Sequence, residues 1–474
     1  MSTPKKSLLA IIGLILATTA ALAAMGTMGS ATTPPLAAPT LAEDAPITAS
    51  TEVVQDRVLK GGDGRVTVSL NLTANRLPTI GSEPVQAADL VIVLDRSGSM
   101  EGQKLNDARQ AVIGLLDQLG PDDRLALVTY SNGVQTQSAL VPMNEANRRR
   151  LTSAVEHVHA GGGTNLGGGL KRGVHVLMHA PADLRQRKVI LISDGLANQG
   201  ITDLDALGRV ASAAVENRFS ISTVGVGLEF NEMLMTAIAD QGAGHYTFLE
   251  DPQVFAQVFE SEFQATRHVA AADVKVRIPL EPGVHLVAAG GYPIRHEDGS
   301  AIIHPGNLLS GQSKTLYLTF QVPTAVEKEI VMGRVQVHYQ RHGQSRTVDA
   351  AHPLTVACVP DPAAVMASIK KDRWADQVVQ EAFSRLKEAV AADIRDGDQT
   401  RAQARIHEYE AKHEAINNAV GSAKVAENLE TDVQALRQRV DETFTGAPAA
   451  VAQKKKQAAK SLQYDGYQMR RDKK

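Results

Sequence analysis

The chain has 474 residues, of which 43% are hydrophobic and 21% charged, and its formal net charge at pH 7 is −3. That length predicts two or three domains, and a nearly neutral chain with 4% aromatic residues is not typical of a dedicated nucleic-acid-binding protein. The one cysteine, Cys358, excludes an internal disulfide and lies in an apolar stretch typical of a buried side chain.

The first 23 residues have the features of a secretory signal peptide. Lys5 and Lys6 precede an apolar stretch that starts at Leu8, and a small-residue cleavage motif ends at Ala23. We therefore expect a bacterial protein exported to the periplasm, the cell surface or the medium, because exported animal proteins usually carry disulfides. The alternative is an uncleaved membrane anchor, and no later stretch is long and apolar enough to span a membrane.

The next two segments differ in their patterns. Residues 24–49 are rich in Ala, Thr and Pro, which predicts a disordered linker. Residues 50–86 contain alternating apolar residues between Val53 and Leu72, which predict antiparallel strands. These strands have no partner nearby in the sequence, so we expect them to pair with strands that come later.

Residues 87–268 alternate between strand and helix patterns. The apolar run from Ala88 to Leu94 indicates a buried strand, and apolar residues at helical spacing follow between Lys104 and Leu119. Further strand and helix patterns continue to a last helix that ends near Phe263. This repetition predicts a doubly wound α/β domain.

After residue 268 the spacing of the apolar residues changes twice. Residues 269–359 show the two-residue period of strands separated by Pro and Gly turns, which predicts a β-sandwich. We expect residues 50–86 to complete this sandwich, so that the α/β domain is an insertion in it. Residues 360–443 predict amphipathic helices, packed on the sandwich or on a partner. Residues 444–474 predict a solvated basic tail, with contact to anionic polymers or lipid head groups as the alternative.

Five side chains with oxygen donors fall on loops of the predicted α/β domain. Asp95, Ser97 and Ser99 alternate directly after the first strand, Thr164 lies in a glycine-rich segment before a helix, and Asp194 follows another strand. Because such loops meet at one edge of an open α/β sheet, we expect these oxygens to surround one cation. Hard oxygen donors favour Mg²⁺ over zinc. A purely structural role for Asp95 and Ser97 would leave the other three unexplained.

Motifs of common enzyme classes are absent. The glycine-rich segment between Gly161 and Gly169 has no following Gly-Lys-Ser/Thr, which excludes a P-loop. The sequence contains no His-Glu-x-x-His motif, and Asp95 stands where a nucleophile elbow around Ser97 needs its first glycine. We therefore expect a protein that is not an enzyme.

The three loops together resemble the metal-ion-dependent adhesion site of von Willebrand factor type A domains. The motifs are Asp95-x-Ser97-x-Ser99, Gly163-Thr164-Asn165 and Ser193-Asp194-Gly195, and the resemblance covers roughly residues 87–268. It implies an Mg²⁺ ion, or alternatively Mn²⁺ or Ca²⁺, held by Asp95, Ser97, Ser99, Thr164 and Asp194. The two serines would be direct ligands, the threonine direct or through water, and the aspartates often through water. The sixth position would take an Asp or Glu carboxylate from a protein partner.

The wider chain is similar to bacterial secreted proteins of the group that includes inter-α-trypsin inhibitor heavy chains and calcium-activated chloride channel homologues. This broader likeness rests on the flanking β-domain and on the segment Gln463-Tyr464-Asp465-Gly466-Tyr467. It implies divalent-cation-dependent protein binding, in adhesion or assembly at the bacterial envelope. The alternatives are an envelope scaffold with a purely stabilising metal, a component of an ion-transport system, and an uncharacterised hydrolase.

Overall fold

The computed structural model describes residues 47–76, 87–181, 185–251 and 254–471. The proposed signal peptide and most of the proposed linker lie outside these ranges. The linker prediction is wrong for residues 47–49, which belong to the first strand. Ile47 is fully buried in the core of the β-domain, and this burial stabilises the strand.

The described chain begins with strands of the β-domain. They are β1 (Ile47–Val53), β2 (Arg57–Leu59) and β3 (Arg65–Ala74). β1 and β3 pair with each other in antiparallel orientation.

The α/β unit follows as alternating strands and helices. Its elements are β4 (Ala88–Asp95), α1 (Gln103–Gln118), β5 (Arg124–Tyr130), β6 (Val134–Pro142), α2 (Glu145–Glu156), α3 (Leu166–Met178), β7 (Gln186–Ser193), α4 (Leu204–Glu216), β8 (Ser220–Val226), α5 (Glu232–Gln241), β9 (Ala243–Leu249) and α6 (Phe255–Arg267). The sheet order is β6-β5-β4-β7-β8-β9. The edge strand β6 is antiparallel to β5, and all other neighbouring strands are parallel.

Both faces of this sheet are covered by helices. Every residue of the central strand β4 is buried. Leu90 and Ile92 point into the apolar cluster that includes α1, α2 and α6, whereas Val91 and Val93 point into the cluster under α3, α4 and α5. Burial on both faces explains why the strand sequence is continuously apolar. The predicted doubly wound α/β fold is therefore confirmed.

The chain then returns to the β-domain. Its later strands are β10 (Val269–Pro279), β11 (His285–Ala289), β12 (Arg295–Glu297), β13 (Ser300–Leu309), β14 (Ser313–Gln321), β15 (Lys328–Gly333), β16 (Gln336–Arg341), β17 (Gln344–Asp349) and β18 (Leu354–Val359). Sheets β1-β3-β14-β11, β12-β13-β10-β16-β17 and β15-β18-β2 enclose one apolar core, in which Cys358 is buried. Val68 of β3 is paired with Leu318 of β14, so the α/β unit is an insertion in the β-domain.

A group of helices completes the described chain. They are α7 (Pro362–Ala367), α8 (Lys371–Asp376, a π-helical turn Gln377–Ala382, then Phe383–Asp396), α9 (Gln399–Val420), α10 (Ala423–Glu427, a π-helical turn Asn428–Asp432, then Val433–Thr443) and α11 (Pro448–Arg470). Apolar residues of α8, α9, α10 and α11 pack together with Val54 of the β-domain in one cluster. Within the described ranges, no helix has the length and apolar character needed to cross a membrane.

The predicted solvated tail at residues 444–474 is wrong, because most of it forms α11. This helix packs on α8, α5 and β9. Lys460 is 5% exposed, and its ammonium donates hydrogen bonds of 2.8 Å to the carbonyl of Phe230 and to the carboxylate of Glu232. The sequence pattern showed the positive charges of the tail and gave no sign of the acceptors that the α/β unit supplies.

A tyrosine of α11 also covers the edge of the α/β sheet. Tyr467 is fully buried, and its hydroxyl accepts a hydrogen bond of 2.9 Å from the backbone N–H of Tyr246 in the edge strand β9. Covering an edge strand in this way satisfies backbone groups that would otherwise remain open for pairing.

Replacing Tyr467 by Phe tests how strongly α11 stabilises the α/β unit. The variant leaves the N–H of Tyr246 buried without its acceptor, so we expect the free energy of unfolding to fall by about 1–3 kcal/mol. Denaturant unfolding measures the change. Tyr464→Phe is the comparison, because Tyr464 lies half-buried on the same helix and its hydroxyl pairs with the side chains of Thr247 and Gln468 instead of a buried backbone N–H. It should therefore lose less. Equal losses in the two variants would contradict this role for Tyr467.

Candidate metal centre

Four loops contact one another at the carboxyl edge of the α/β sheet. Two backbone hydrogen bonds join the loop after β4 to the glycine-rich loop: Gly98 N–H donates to Gly162 O at 3.0 Å, and Gly161 N–H donates to Arg96 O at 2.8 Å. Asn132, in the turn between β5 and β6, accepts from Gly163 N–H and from the Gln199 side chain after β7. These contacts bring together the loops that carry the predicted site residues.

Asp95 lies at the end of β4 and is completely buried. Its Oδ1 accepts a hydrogen bond of 2.8 Å from the backbone N–H of Ser97, and its Oδ2 accepts one of 2.8 Å from the hydroxyl of Ser193. Burial, and to a smaller extent the charge of Asp194, raise the pKa of Asp95 to about 6 against the lowering effect of the hydrogen bonds from Ser97 and Ser193. A cation nearby would favour the ionised form of this carboxyl group.

The two serines and Asp194 form a connected chain of oxygen atoms. The hydroxyl oxygens of Ser97 and Ser99 are 3.0 Å apart, and the Ser99 hydroxyl donates to Oδ1 of Asp194 at 2.7 Å. Asp194 is fully buried. Its Oδ2 accepts a hydrogen bond of 2.5 Å from the ammonium of Lys104, in the first turn of α1. A positive group is therefore already in contact with one of the predicted ligands.

The glycine-rich loop places Thr164 beside these oxygen atoms. Its backbone N–H donates to the Asn198 side chain at 2.9 Å, and Asn198 N–H donates back to the Thr164 carbonyl at 3.2 Å. A Cβ atom on Gly195 would lie 3.2 Å from Ser99 Oγ and 3.3 Å from Thr164 Oγ1. Both hydroxyl groups thus lie close to the residue that follows Asp194, and the absence of a side chain at Gly195 makes room for them.

The donor set fits a hard divalent cation. It consists of two buried carboxylates and three hydroxyl groups, the oxygen donors that Mg²⁺ prefers. Among the described residues, no group of three or more His, Cys, Asp or Glu side chains is arranged to hold a metal. An ion at this centre would therefore depend on the hydroxyls of Ser97, Ser99 and Thr164 as well as on the carboxylates of Asp95 and Asp194.

The structure also places three residues at the centre that sequence reasoning did not select. Ser193 donates to Asp95, Asn198 holds the Thr164 loop, and Lys104 donates to Asp194. Ser193 was part of a quoted motif, but its contact with Asp95 needs β4 and β7 to be neighbours. Lys104 was named only as the start of the predicted helix, and its contact with Asp194, which is 90 residues away in the sequence, is visible only in the structure.

Comparison with known proteins identifies the α/β unit. Residues 89–261 match the family model for the von Willebrand factor type A domain. The uncharacterised protein sll0103 of Synechocystis sp. is 27% identical over 280 residues, which are 56% of this chain and 66% of that protein. YfbK of Escherichia coli is 29% identical over 203 residues, 42% of this chain and 35% of YfbK. Inter-alpha-trypsin inhibitor heavy chain H1 of Mesocricetus auratus is 26% identical over 240 residues, 48% of this chain and 25% of that protein.

Two solved structures share the fold of nearly the whole chain. The von Willebrand factor type A protein of Catenulispora acidiphila has a TM-score of 0.67 at 19% identity and covers 90% of this chain and 98% of its own. The ArnB paralog VWA2 of Sulfolobus acidocaldarius has a TM-score of 0.54 at 16% identity and covers 88% of this chain and 99% of its own. The chain therefore contains a von Willebrand factor type A domain and is related to the inter-alpha-trypsin inhibitor heavy chains and to the bacterial proteins YfbK and sll0103.

Proposed function

We propose that this protein is a divalent-cation-dependent protein-binding factor of the bacterial cell envelope, active in adhesion or assembly, and not an enzyme. The observation that carries the proposal is the convergence of Asp95, Ser97, Ser99, Thr164 and Asp194 at one edge of the α/β sheet. The family supports it, because von Willebrand factor type A domains often bind proteins. The envelope location rests on the signal-like sequence before residue 24.

The cation would be Mg²⁺, with Mn²⁺ or Ca²⁺ as substitutes. Mg²⁺ requires six oxygen ligands in octahedral geometry and gives up its water molecules reluctantly. Hydroxyl groups contribute no negative charge, so an ion held largely by Ser97, Ser99 and Thr164 would remain electron-poor. When bound, it would supply a position for one carboxylate oxygen of a protein ligand. The role of this chain's residues is to hold that position open at the surface.

The surroundings of the centre favour a protein ligand over a small anion. Leu196 follows Asp194 and Gly195 directly and is 58% exposed. Exposed apolar side chains beside a polar centre are typical of surfaces that bind proteins. We therefore expect a partner that presents an Asp or Glu next to an apolar side chain.

Calorimetric titration with Mg²⁺ tests whether the centre binds a cation. We expect one Mg²⁺ per chain in the wild type and at least about tenfold weaker binding in Thr164→Val, which removes one hydroxyl and keeps the side-chain shape. Thr355→Val in β18 is the control, because it makes the same change in the β-domain. Absence of Mg²⁺ and Mn²⁺ binding to the wild type, in calorimetry and in thermal unfolding, would contradict the proposal.

Partner binding separates adhesion from the alternative of a scaffold. The exported protein is used to capture proteins from an extract of the cell envelope, with Mg²⁺ or with EDTA, beside the Thr164→Val variant. We expect the captured protein to be lost with EDTA, restored by Mg²⁺ and absent with the variant. A partner retained equally in all three conditions would favour a scaffold in which the metal only stabilises the loops.

The space beside Gly195 gives a further prediction. A methyl group there would lie 3.2 Å from Ser99 Oγ and 3.3 Å from Thr164 Oγ1, which forces both hydroxyls to move by a few tenths of an ångström. Because Mg²⁺ tolerates little distortion, we expect Gly195→Ala to weaken Mg²⁺ binding by about tenfold while the protein remains folded. Gly114→Ala in α1, where a methyl group meets no atom within 4 Å, should leave binding unchanged. Equal affinities in the two variants would argue against hydroxyl ligation.

A further inference from the structure

We propose that Lys104 sets the affinity of the centre for its cation. Its ammonium group acts as a tethered positive charge on Asp194, and a divalent ion must share that carboxylate with it or displace it. The inference rests on the proposed function, since it assumes that the centre takes a cation.

The position of Lys104 is defined by contacts with two loops. Its ammonium lies 2.5 Å from Oδ2 of Asp194 and 3.4 Å from the carbonyl oxygen of Ser99. The Lys104 side chain is 28% exposed, whereas the side chain of Asp194 is 0% exposed. The lysine therefore reaches from the surface of α1 inward to a buried acceptor.

The turn between β8 and α5 passes beside the same side chain. Gly227 lies in this turn with φ +68°, and a Cβ atom there would be 3.4 Å from Cε and 3.5 Å from Nζ of Lys104. A side chain at this position would therefore meet the stem and the ammonium of Lys104, and the glycine leaves the space beside the lysine free. The nearby turn, the partial burial of Lys104 and its ion pair with Asp194 distinguish it from a lysine on an open surface.

The charges explain why such a lysine would weaken cation binding. Asp95 and Asp194 are two buried carboxyl groups at one sheet edge, and Lys104 neutralises one of them by a short ion pair. A divalent ion near Asp194 would be repelled by the ammonium. In water, an ammonium about 5 Å from a divalent ion already lowers the affinity for that ion by about tenfold, and the burial of Asp194 strengthens the repulsion.

The arrangement would also make cation binding depend on the partner. Without a cation, Lys104 stabilises the buried charge of Asp194, so this carboxylate has an ion-pair partner in the metal-free protein. A carboxylate from a protein partner adds a negative charge on the outer side of the centre and offsets the repulsion between Lys104 and the ion. By linkage, the cation must increase partner affinity by the same factor as the partner increases cation affinity.

Calorimetric titration of the exported protein with Mg²⁺, in wild type and Lys104→Met, tests the inference. We expect Lys104→Met to bind Mg²⁺ about tenfold more tightly, because the repelling charge is gone. Lys104→Arg keeps the charge and should stay within a few-fold of the wild type. Lys328→Met removes an exposed lysine from β15 of the β-domain and is the matched control for net charge, with no expected change.

Thermal unfolding without and with Mg²⁺ gives a second readout. We expect metal-free Lys104→Met to unfold at a lower temperature than the wild type, because Asp194 is left buried without its ion-pair partner. Saturating Mg²⁺ should then raise the unfolding temperature more in this variant than in the wild type. A lysine with only a packing role would not give both effects, a lower unfolding temperature without Mg²⁺ and a larger increase when Mg²⁺ is added.

The outcomes separate the two proposals. If the wild type binds Mg²⁺ and Lys104→Met binds it equally or more weakly, the role of Lys104 is wrong while the metal centre stands. If neither protein binds Mg²⁺ or Mn²⁺, and Mg²⁺ does not restore the thermal stability of the variant, the metal centre is wrong and the inference falls with it.

Discussion

The structure depends on two buried carboxyl groups at one edge of a parallel sheet. β4 and β7 are parallel neighbours, with Leu94 paired to Ile192, so Asp95 and Asp194 follow the two strands at the same end. Burying two acidic groups together is unfavourable unless hydrogen bonds and positive charge compensate. Hydrogen bonds from three serines and an ion pair with Lys104 compensate in part. A divalent cation would complete the compensation, and this is the physical reason to regard the edge as a metal centre.

The helix α11 connects this centre to the rest of the chain through a short series of contacts. Lys460 of α11 donates to the carbonyl of Phe230, in the turn that leads from β8 to α5. The same turn contains Gly227, where a Cβ atom would meet the Lys104 side chain, and Lys104 reaches Asp194. The inserted α/β unit is therefore fixed on its β9 side, while the loops of the candidate centre keep Leu196 exposed to a partner.

Much of the fold was predictable because its signals are local. The apolar run before Asp95 and the helical spacing after Lys104 predict β4 and α1 with boundaries within a residue or two. The candidate ligands on the loops after β4 and β7 could be selected because loops after parallel strands meet at one edge. Thr164, on the loop between α2 and α3, was indicated by the glycine-rich segment before a helix. The helical tail and the role of Lys104 could not be predicted, because both depend on acceptors far away in the sequence. Lys460 finds its acceptors at Phe230 and Glu232, and Lys104 at Asp194.

The most direct measurement of the central claim is an anomalous difference map from crystals of the exported protein soaked in Mn²⁺. We expect one strong peak bounded by Ser97 Oγ, Ser99 Oγ and the Asp194 and Thr164 side chains, with metal–oxygen distances of about 2.1 Å for direct ligands. The ammonium of Lys104 should then have moved away from Asp194 or share it at a longer distance. A map without a peak at this edge of the sheet, at Mn²⁺ concentrations that label other sites, would contradict the account.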